Sequence, residues 1–339
     1  MARKKVFKTK MTSDRDGIRF ATPEPVAQYR AERLQCKTIA DISCGIGGQA
    51  LHFAQTCDFV YAIEIDPKKV DYARKNAKTM GVENIEFIAG DALKPEIIEK
   101  LPELDVVFSD PARPPAEKER NIENMSPSIP DVMEAYAKKS SNFAFEAPPQ
   151  LSPEKIPFDC EKEYMSLEGK LNRLNLYFGE LKKAEISAIA LPGKNIIRKT
   201  GDTIGIPDRK MPGIYAYEPE ECVTKAGLLK QLAGEFAEDG TDVSIVDIDG
   251  KRTLISSGNP LDSSLFKNSY KVATIMPFDI NKVNPYLKKN SFGTVIIRAA
   301  INPDEYWEVR NSLEKDINGE RKAHLFIKEN NAIICEVLD

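Results

Sequence analysis

The sequence lacks the features that define several classes of protein. It has no run of about 18 apolar residues, and the basic start MARKKVFKTK has no apolar stretch behind it, so we expect neither a membrane span nor a secretory signal. Two histidines, His52 and His324, are too few for a histidine-based metal site. The six cysteines contain no C-x-x-C pair, which argues against a zinc site and predicts a reducing, cytoplasmic location.

An excess of positive charge is also lacking. The 339 residues include 48 Lys and Arg against 52 Asp and Glu, and the net charge of −4 argues against a nucleic-acid partner for the chain as a whole. Three stretches are nevertheless basic: residues 3–10, 194–210 and 265–298. In the last of these, aromatic side chains that can stack on unpaired bases alternate with lysines, although core aromatics on a solvated face give the same pattern. The candidate RNA-binding residues are Arg3, Lys4, Lys5, Lys199, Lys267, Lys271, Lys288 and Lys289.

Strands alternate with helices from residue 37 onward, which predicts an α/β fold with a mostly parallel sheet. Asp66 and Pro67 predict the start of one helix, and Gly81 predicts its end. Apolar spacing predicts a long helix over residues 163–183, and another helix is expected over 223–236. The character of the sequence changes near residue 214, where we expect a domain boundary. Strands are predicted at 38–42, 59–65, 85–89, 105–109, 143–146 and 186–191.

A glycine-rich turn, ADISCGIGGQA, follows the first predicted strand. Gly45 and Gly47 let a ligand approach the backbone at a helix start, and Glu64 closes the second strand where a carboxylate can bind ribose hydroxyls. This spacing serves NAD and S-adenosylmethionine (SAM) about equally. Asp41 favours SAM, because a carboxylate there faces ammonium and sulfonium charges but repels a pyrophosphate, and Asp91 can accept from an adenine amino group. The alternative is that these carboxylates only cap turns and the glycines only pack helix on sheet.

Three stretches, DISCGIGG, AIEIDPKKVDYARKNA and GDA, resemble motifs I to III of class I SAM-dependent methyltransferases. Upstream, ATPEPVA is similar to the helix that closes over the cofactor in the trimethylguanosine synthase-like RNA methyltransferases. Downstream, SDPARPP, APPQLSP and YAYEPEECVTKAGL resemble methyltransferases with a THUMP-like C-terminal domain. The resemblance implies a Rossmann-like methyltransferase sheet and SAM bound by Thr22, Asp41, Ser43, Cys44, Gly45, Gly47, Glu64, Ile65, Asp91, Ala92 and Asp110.

The same resemblance implies three parts of the chain. Residues 1–36 would form a basic and helical N-terminal segment, and residues 37–214 the methyltransferase domain. Residues 215–339 would form a smaller α+β, THUMP-like domain that positions RNA.

The methyl acceptor is expected to meet the segment Asp110-Pro111-Ala112-Arg113. Amino-directed nucleic-acid methyltransferases carry an Asp/Asn-Pro-Pro-aromatic tetrad there, which this chain matches at Asp110 and Pro111 only. A ring nitrogen such as guanine N7 needs no proton removed and tolerates the departure better than an exocyclic amine. Asp110 would accept from the N1 and N2 protons of guanine, while Arg113 pairs with a phosphate, a base edge or a neighbouring glutamate. Asp110, Pro111 and Arg113 are therefore the candidate catalytic residues.

The Asp-Pro-x-Arg pattern is also similar to that of 5-methyluridine methyltransferases, which need a cysteine nucleophile. Cys160, Cys222 and Cys335 lie in no recognisable catalytic motif. We therefore predict a monomeric, metal-free SAM-dependent RNA methyltransferase that acts on a guanine, at N7 or N2, in tRNA. Methylation of a protein or small molecule, a non-catalytic SAM-binding RNA adaptor and an NAD oxidoreductase are the alternatives.

Overall fold

Two sheets, one in each of two units, organise the chain. The structure is a computed structural model that describes residues 11–14, 17, 21–111, 121–201 and 205–338. The units span Met1–Lys199 and Thr200–Asp339. This division falls before the expected boundary near residue 214. Asp208 forms a β-bridge with Ile245, so the residues just before 214 pack with the second unit.

The first unit begins with five parallel strands in the order β3-β2-β1-β4-β5. Every residue of β4 and β5 is buried, as expected for strands covered by helices on both faces. The predicted α/β class is confirmed. The strands are β1 (Thr38–Asp41), β2 (Phe59–Glu64), β3 (Ile85–Ala89), β4 (Val106–Ser109) and β5 (Phe143–Ala147).

Helices precede and connect these strands, and α3 shows how the sequence sets their limits. The Asp66 carboxylate accepts a hydrogen bond from the Lys68 N–H at 2.9 Å, Pro67 is the first helical residue, and Gly81 ends the helix with a φ of 66°. Both predicted limits of this helix are confirmed. The helices are α1 (Glu24–Arg33), α2 (Ala50–Phe53), α3 (Pro67–Met80), α4 (Pro95–Ile98) and α5 (Ile129–Ala135).

A β-hairpin stands where a helix was expected over residues 163–183. Strands β6 (Glu161–Leu167) and β7 (Lys170–Tyr177) are antiparallel, and Glu168 and Gly169 turn between them with φ of 51° and 74°. The helix prediction was wrong because β6 is buried on both faces and shows no alternation of polar and apolar residues. The sheet continues from β5 in the order β7-β6-β8-β9, where β8 is Ile186–Leu191 and β9 is Asn195–Arg198.

The second unit is a mostly antiparallel sheet in the order β11-β12-β10-β13-β16-β15-β14. The single helix predicted over 223–236 is instead two helices, because Gly227 has a φ of 71° that interrupts the helical backbone. The strands are β10 (Tyr215–Pro219), β11 (Val243–Asp247), β12 (Thr253–Ser257), β13 (Phe266–Pro277), β14 (Phe292–Arg298), β15 (Arg321–Lys328) and β16 (Asn331–Val337). The helices are α6 (Glu221–Lys225), α7 (Leu229–Glu238), α8 (Ile280–Lys289) and α9 (Tyr306–Leu313).

The strand order of the first unit reverses beside β1, and this fixes where a ligand can bind. Strands β2 and β4 flank β1, so the chain leaves the carboxyl edge of the sheet toward opposite sides. In parallel α/β sheets the ligand crevice lies at such a point, outside the carboxyl ends of the strands. The residues that follow β1 to β4 therefore form the candidate site.

Candidate active site

The cofactor turn, which we define as residues 43–48, leads from β1 into α2. Gly45 and Gly47 have φ of 56° and 89°, a region of backbone conformation that favours glycine. A Cβ on Gly47 would lie 3.3 Å from the Cβ of Ala73, so this glycine lets α3 pack closely against the turn. A Cβ on Gly45 would meet no atom within 4 Å. The turn therefore packs tightly at Gly47 and faces open space at Gly45.

Asp41 ends β1 as a buried carboxyl group, 1% exposed, beside this turn. Its Oδ1 accepts from the Ser43 N–H at 3.2 Å, whereas Oδ2 has no hydrogen-bond partner among the described residues. Burial raises the pKa of Asp41 to about 7, against the opposing effect of the Ser43 N–H. An unpaired buried carboxyl oxygen is costly for the protein alone and suits a positively charged group of a ligand.

Glu64 ends β2 and joins that strand to the cofactor turn. Its Oε2 accepts from the Gly45 N–H at 2.9 Å, and its Oε1 accepts from the Asp66 N–H at 3.0 Å. A carboxylate has about four acceptor positions, so lone pairs remain for the hydroxyls of a ligand. The neighbouring Ile65 is 68% exposed and offers apolar surface at the same edge of the sheet.

Cys44 lies in the cofactor turn, but its backbone N–H is already used within the protein. Its N–H donates to the Ile63 carbonyl at 3.0 Å and is therefore not available to a ligand. Burial raises the pKa of its thiol well above the ordinary value, so the side chain is a neutral, packed group.

Asp91 and Ala92 follow β3 in a turn. Tyr136, a residue that sequence analysis missed, holds this turn in place. Asp91 Oδ1 accepts from the Leu93 N–H at 3.0 Å. Tyr136 is fully buried and donates its hydroxyl to the Ala92 carbonyl at 2.8 Å. Burial, together with the charge of Asp91, raises the pKa of Tyr136.

Asp110 and Pro111 follow β4 and adjoin the cofactor turn. The Asp110 N–H donates to Ser43 Oγ at 2.6 Å. The structure thus brings the predicted acceptor residue and the predicted cofactor turn into direct contact. Ala112 and Arg113, the rest of the predicted acceptor segment, lie outside the described residues.

Thr22 and the segment before α1 lie against the cofactor turn. A Cβ on Gly48 would be 3.7 Å from the Cβ of Ala21 and 3.9 Å from the backbone nitrogen of Thr22. Thr22 is itself buried. The N-terminal segment is therefore part of the candidate site.

Arg30, in α1, is a fully buried side chain that sequence analysis missed. Its Nη1 donates to Gln49 Oε1 at 2.9 Å, just after the cofactor turn. Its Nη2 donates to Glu146 Oε2 at 2.7 Å and to Asn175 Oδ1 at 2.8 Å. The guanidinium carbon lies 4.9 Å from the ring centroid of Phe108. Burial, the largest single effect, lowers the pKa of Arg30, but the combined influence of Glu146, Tyr177 and Asp110 raises it above its ordinary value.

A second buried contact holds the same helix. Glu163 accepts from the Tyr29 hydroxyl at 2.6 Å and from the Tyr177 hydroxyl at 2.9 Å. Burial raises the pKa of Glu163, against the opposing effects of the Tyr29 hydroxyl and the Arg33 charge. Because 134 residues separate Tyr29 from Glu163, no local pattern in the sequence could have indicated the contact.

The predicted RNA-binding lysines fall into different groups. Lys199 pairs with Glu185 at 2.9 Å and Lys267 pairs with Glu221 at 3.1 Å, so their charges are partly neutralised. Exposed side chains are found at Lys271, Lys288 and Lys289, whereas Arg3, Lys4 and Lys5 lie outside the described residues. Among the aromatic residues of this segment, Tyr270 and Phe292 are fully buried and pack in the core.

The residues of this edge fit SAM. Its ammonium and sulfonium charges suit the unpaired Oδ2 of Asp41, and its ribose hydroxyls suit the remaining lone pairs of Glu64. Its adenine ring suits the apolar surface of Ile65. Within the described residues, no three His, Cys, Asp or Glu side chains are grouped as metal ligands, and no helix has the length and apolar character to cross a bilayer.

The chain is similar in sequence to known methyltransferases and similar in fold to a solved structure. Residues 36–142 match the family model described as RNA cap guanine-N2 methyltransferase. An "uncharacterized S-adenosylmethionine-dependent methyltransferase" of Mycobacterium tuberculosis is 23% identical over 303 residues, which cover 85% of this chain and 78% of that protein. The 23S rRNA (uracil(747)-C(5))-methyltransferase of Photorhabdus laumondii is 44% identical over 59 residues, covering 17% of this chain and 16% of that protein.

A crystal structure from Porphyromonas gingivalis W83, described as a "putative methyltransferase", has the same fold. Its TM-score is 0.75 at 17% identity, and the match covers 96% of this chain and 83% of that one. Taken with the glycine turn, the Asp41 and Glu64 carboxylates and the reversal of strand order, these similarities identify the chain as a SAM-dependent methyltransferase with the Rossmann-like class I fold.

Proposed function

We propose that this chain methylates a guanine in RNA, at N7 or N2, with tRNA as the substrate. The hydrogen bond from the Asp110 N–H to Ser43 Oγ carries the proposal, because it joins Asp110, the first residue of the proposed acceptor segment, to the cofactor turn. The similarities to a cap guanine-N2 family and to an rRNA methyltransferase support RNA as the substrate.

Bound SAM would supply the electrophilic methyl group, and the chain's own residues would hold the cofactor. Asp41 would pair with its positive charges, and Glu64 would accept from the ribose hydroxyls. Cys44 contributes no free N–H to this set. The other proposed cofactor residues are Thr22, Ser43, Gly45, Gly47, Ile65, Asp91, Ala92 and Asp110.

In the proposed acceptor site, Asp110 accepts hydrogen bonds from the N1 and N2 protons of guanine, and Pro111 shapes the loop beside it. Arg113 would pair with a phosphate or with the base edge. Guanine N7 carries a lone pair, so methylation there needs orientation by these residues and no proton acceptor. Methylation at N2 would in addition need a carboxylate that holds the amine, which is the role Asp110 offers. Arg30 supports this arrangement, because its charge and that of Asp110 attract each other.

The positions of the cysteines weigh against methylation at C5 of uracil, which needs a thiolate beside the acceptor loop. Cys44 is the cysteine of the cofactor turn, and burial keeps its thiol protonated. Cys160 precedes the amino end of β6, which is parallel to β5, so it lies at the sheet edge away from Asp110. Cys222 and Cys335 are fully buried within the second unit, and burial raises the pKa of the Cys335 thiol.

For the rest of the chain we propose that residues 37–214 form the catalytic domain and that residues 215–339 form a THUMP-like domain that positions RNA. The exposed Lys271, Lys288 and Lys289 support an RNA contact there. All six cysteines are free thiols, which is consistent with the proposed cytoplasmic location.

The proposal is tested by incubating the purified protein with methyl-labelled SAM and a lysate that contains RNA, protein and small molecules. We expect the label in the RNA fraction, in material that ribonuclease releases. Label that resists ribonuclease but is released by protease, or label in the small-molecule fraction, would replace RNA with the other acceptor. Tight SAM binding with no labelled fraction would favour a non-catalytic RNA adaptor.

A further inference from the structure

Two cysteines of the first unit lie side by side at the sheet edge opposite the candidate site. Cys36 precedes β1, Cys57 precedes β2, and their Sγ atoms are 3.8 Å apart. Cys57 is buried, whereas Cys36 is partly exposed to solvent. Both cysteines lie at the amino ends of their strands, so neither takes part in the proposed methyl transfer.

The pairing of β1 with β2 sets the two cysteines opposite each other on neighbouring strands. Thr38 pairs with Phe59 in the parallel β1–β2 ladder, and the pairing extends toward the amino ends through the bond from the Phe59 N–H to the Lys37 carbonyl at 2.9 Å. Counting back by two residues in each strand sets Cys36 opposite Cys57. Neighbouring strands lie about 4.8 Å apart, which is within the Cα separation of about 4.4–6.8 Å that a disulfide requires.

The pair also contains a thiol with the acidity that disulfide formation requires. The two thiols share a hydrogen bond in which either Sγ can be the donor, and this contact favours ionisation of one member of the pair. It lowers the pKa of Cys57 and raises the pKa of Cys36. The contact therefore favours the ionised form of Cys57, and a thiolate is the reactive form of cysteine. Burial raises the pKa of Cys44, Cys160 and Cys335, which favours the protonated, unreactive form of those thiols.

We propose that Cys36 and Cys57 form an intramolecular disulfide when the protein meets hydrogen peroxide. One thiolate attacks a peroxide oxygen, the O–O bond breaks, and the sulfur becomes a sulfenic acid as hydroxide leaves. The second thiolate attacks that sulfur and displaces its hydroxyl group. In total two thiols lose two protons and two electrons, and the peroxide is reduced to two molecules of water.

The disulfide would close a loop that contains β1 and the whole cofactor turn. It would also join the chain just after α1 to the chain just after α2, two segments already linked by the bond from Thr56 Oγ1 to the Ala31 carbonyl at 2.9 Å. A cross-link of this kind restricts the unfolded chain and raises stability. The oxidised protein should therefore melt at a higher temperature than the reduced protein.

The test treats the full-length protein with a small excess of hydrogen peroxide, blocks the remaining thiols, and maps peptides by mass spectrometry without reduction. We expect one product that before blocking is about 2 Da lighter than the reduced protein, the mass of the two hydrogens lost. Peptide mapping after blocking should give a Cys36–Cys57 peptide pair, and the raised melting temperature should be reversed by dithiothreitol. Cys36→Ser and Cys57→Ser should each abolish the loss of mass and the rise in melting temperature. Cys160→Ala, at another buried thiol, should leave both unchanged.

Three results would overturn the proposal. They are a stable sulfinic or sulfonic acid at Cys36 or Cys57 in place of the cross-link, a disulfide that uses a different cysteine, and a cross-linked protein that melts no higher than the reduced one. Peptide mapping and melting of the wild-type protein give these answers even if a serine variant fails to fold.

Discussion

Asp41 is the residue on which the cofactor assignment depends most. Burial raises the pKa of its carboxyl to about 7, so the protonated form is populated near neutral pH in the ligand-free protein, and its Oδ2 has no partner among the described residues. A positively charged ligand at that oxygen favours the ionised form. Binding of SAM should therefore release protons near pH 7.

We expect SAM to bind more weakly as the pH falls through about 7, because protonated Asp41 cannot pair with the ammonium group. Asp41→Asn should remove this pH dependence and weaken binding about 10- to 100-fold, the cost of one charge-assisted contact. Calorimetry in buffers of different ionisation enthalpy measures both the affinity and the protons released. Asp71→Asn, an exposed carboxylate of α3, is the matched control and should bind SAM normally. A pH-independent affinity of the wild-type protein would contradict the assignment.

The same pKa has the opposite effect on the stability of the ligand-free protein. The folded-state pKa of Asp41 lies above its ordinary value of 3.8. The protonated form therefore contributes stability that is fully present below about pH 4 and is lost as the pH rises through about 7. The increase in melting temperature that SAM gives should accordingly be larger at pH 8 than at pH 6, as differential scanning fluorimetry would show.

A substitution at Asp110 should distinguish binding of the cofactor from methylation of the acceptor. Asp110→Ala keeps the backbone N–H that donates to Ser43, so we expect SAM affinity within about threefold of wild type. The loss of the carboxylate should lower methyl transfer by about 100-fold or more, since in the proposed acceptor site it removes the group that would hold the base. Parallel calorimetry and transfer of labelled methyl measure the two effects. Unchanged methyl transfer would remove Asp110 from the acceptor site.

At the scale of elements, helix α1 acts as part of the site because its buried side chains join it to the sheet. Arg30 links α1 to Gln49, Glu146 and Asn175, and the helix brings Thr22 against the cofactor turn. The Arg30–Glu146 ion pair is buried, with side-chain exposures of 0% and 3%. Without Arg30, Glu146 would keep a second partner, Arg173, whose Nε lies 2.7 Å from its Oε1. The side-chain oxygens of Gln49 and Asn175 would lose the hydrogen-bond donor that Arg30 supplies.

Arg30→Met should destabilise the protein by about 3 kcal/mol, because it removes one partner of a buried ion pair and the donor to Gln49 and Asn175, while Glu146 keeps Arg173. Urea unfolding followed by circular dichroism measures the change. Arg74→Met, which removes an exposed arginine 3.7 Å from Asp71, should cost less than about 1 kcal/mol. An effect of Arg30→Met as small as that of the control would show that the α1 ion pair contributes little.

Elements with local signals were predictable, and those defined by distant contacts were not. Asp66, Pro67 and Gly81 set the limits of α3 within the sequence itself. The β6–β7 hairpin had one local signal, the Glu168-Gly169 turn, but the buried acidic residues of β6 resembled the polar face of a helix. Their partners are tyrosines and arginines from α1 and β7, which only the folded chain brings together.

At the scale of the whole molecule, the net charge of −4 is a poor guide to partners, because exposed basic side chains are grouped locally. Lys288 and Lys289 end α8, and Arg321 of β15 donates to the carbonyl of the adjacent Asn290 at 2.7 Å. Lys271 of β13 lies opposite Glu336 of β16 in the register of these two antiparallel strands. The proposed RNA contact of the second unit depends on this patch.

The double variant Lys288→Glu/Lys289→Glu should weaken tRNA binding at least tenfold. It should also make the dependence of log Kd on log salt shallower, by about 1 for each phosphate that the variant no longer neutralises. Filter binding across a salt series measures both quantities. Lys230→Glu/Lys251→Glu changes the charge equally at two exposed lysines of the same unit and should bind as the wild type does. Equal weakening in the two variants would indicate a general charge effect and would contradict a local patch.

The class of fold and the cofactor turn could be predicted because glycines, carboxylates and strand ends follow one another at short spacing from Asp41 to Asp110. The anchoring of α1 could not be predicted in this way. Tyr136, Arg30 and Glu146 each act through a partner that is distant in the sequence. The proposed substrate is indicated least by local sequence, because an RNA contact would depend on surfaces that no short motif encodes.

The most direct test of the proposed function is mass spectrometry of the nucleosides from tRNA methylated by the purified protein with labelled SAM. We expect label in 7-methylguanosine or N2-methylguanosine, and its disappearance with Asp110→Ala. Label in 5-methyluridine or in a methylated adenosine, or labelled guanosine that persists with Asp110→Ala, would contradict the proposed function.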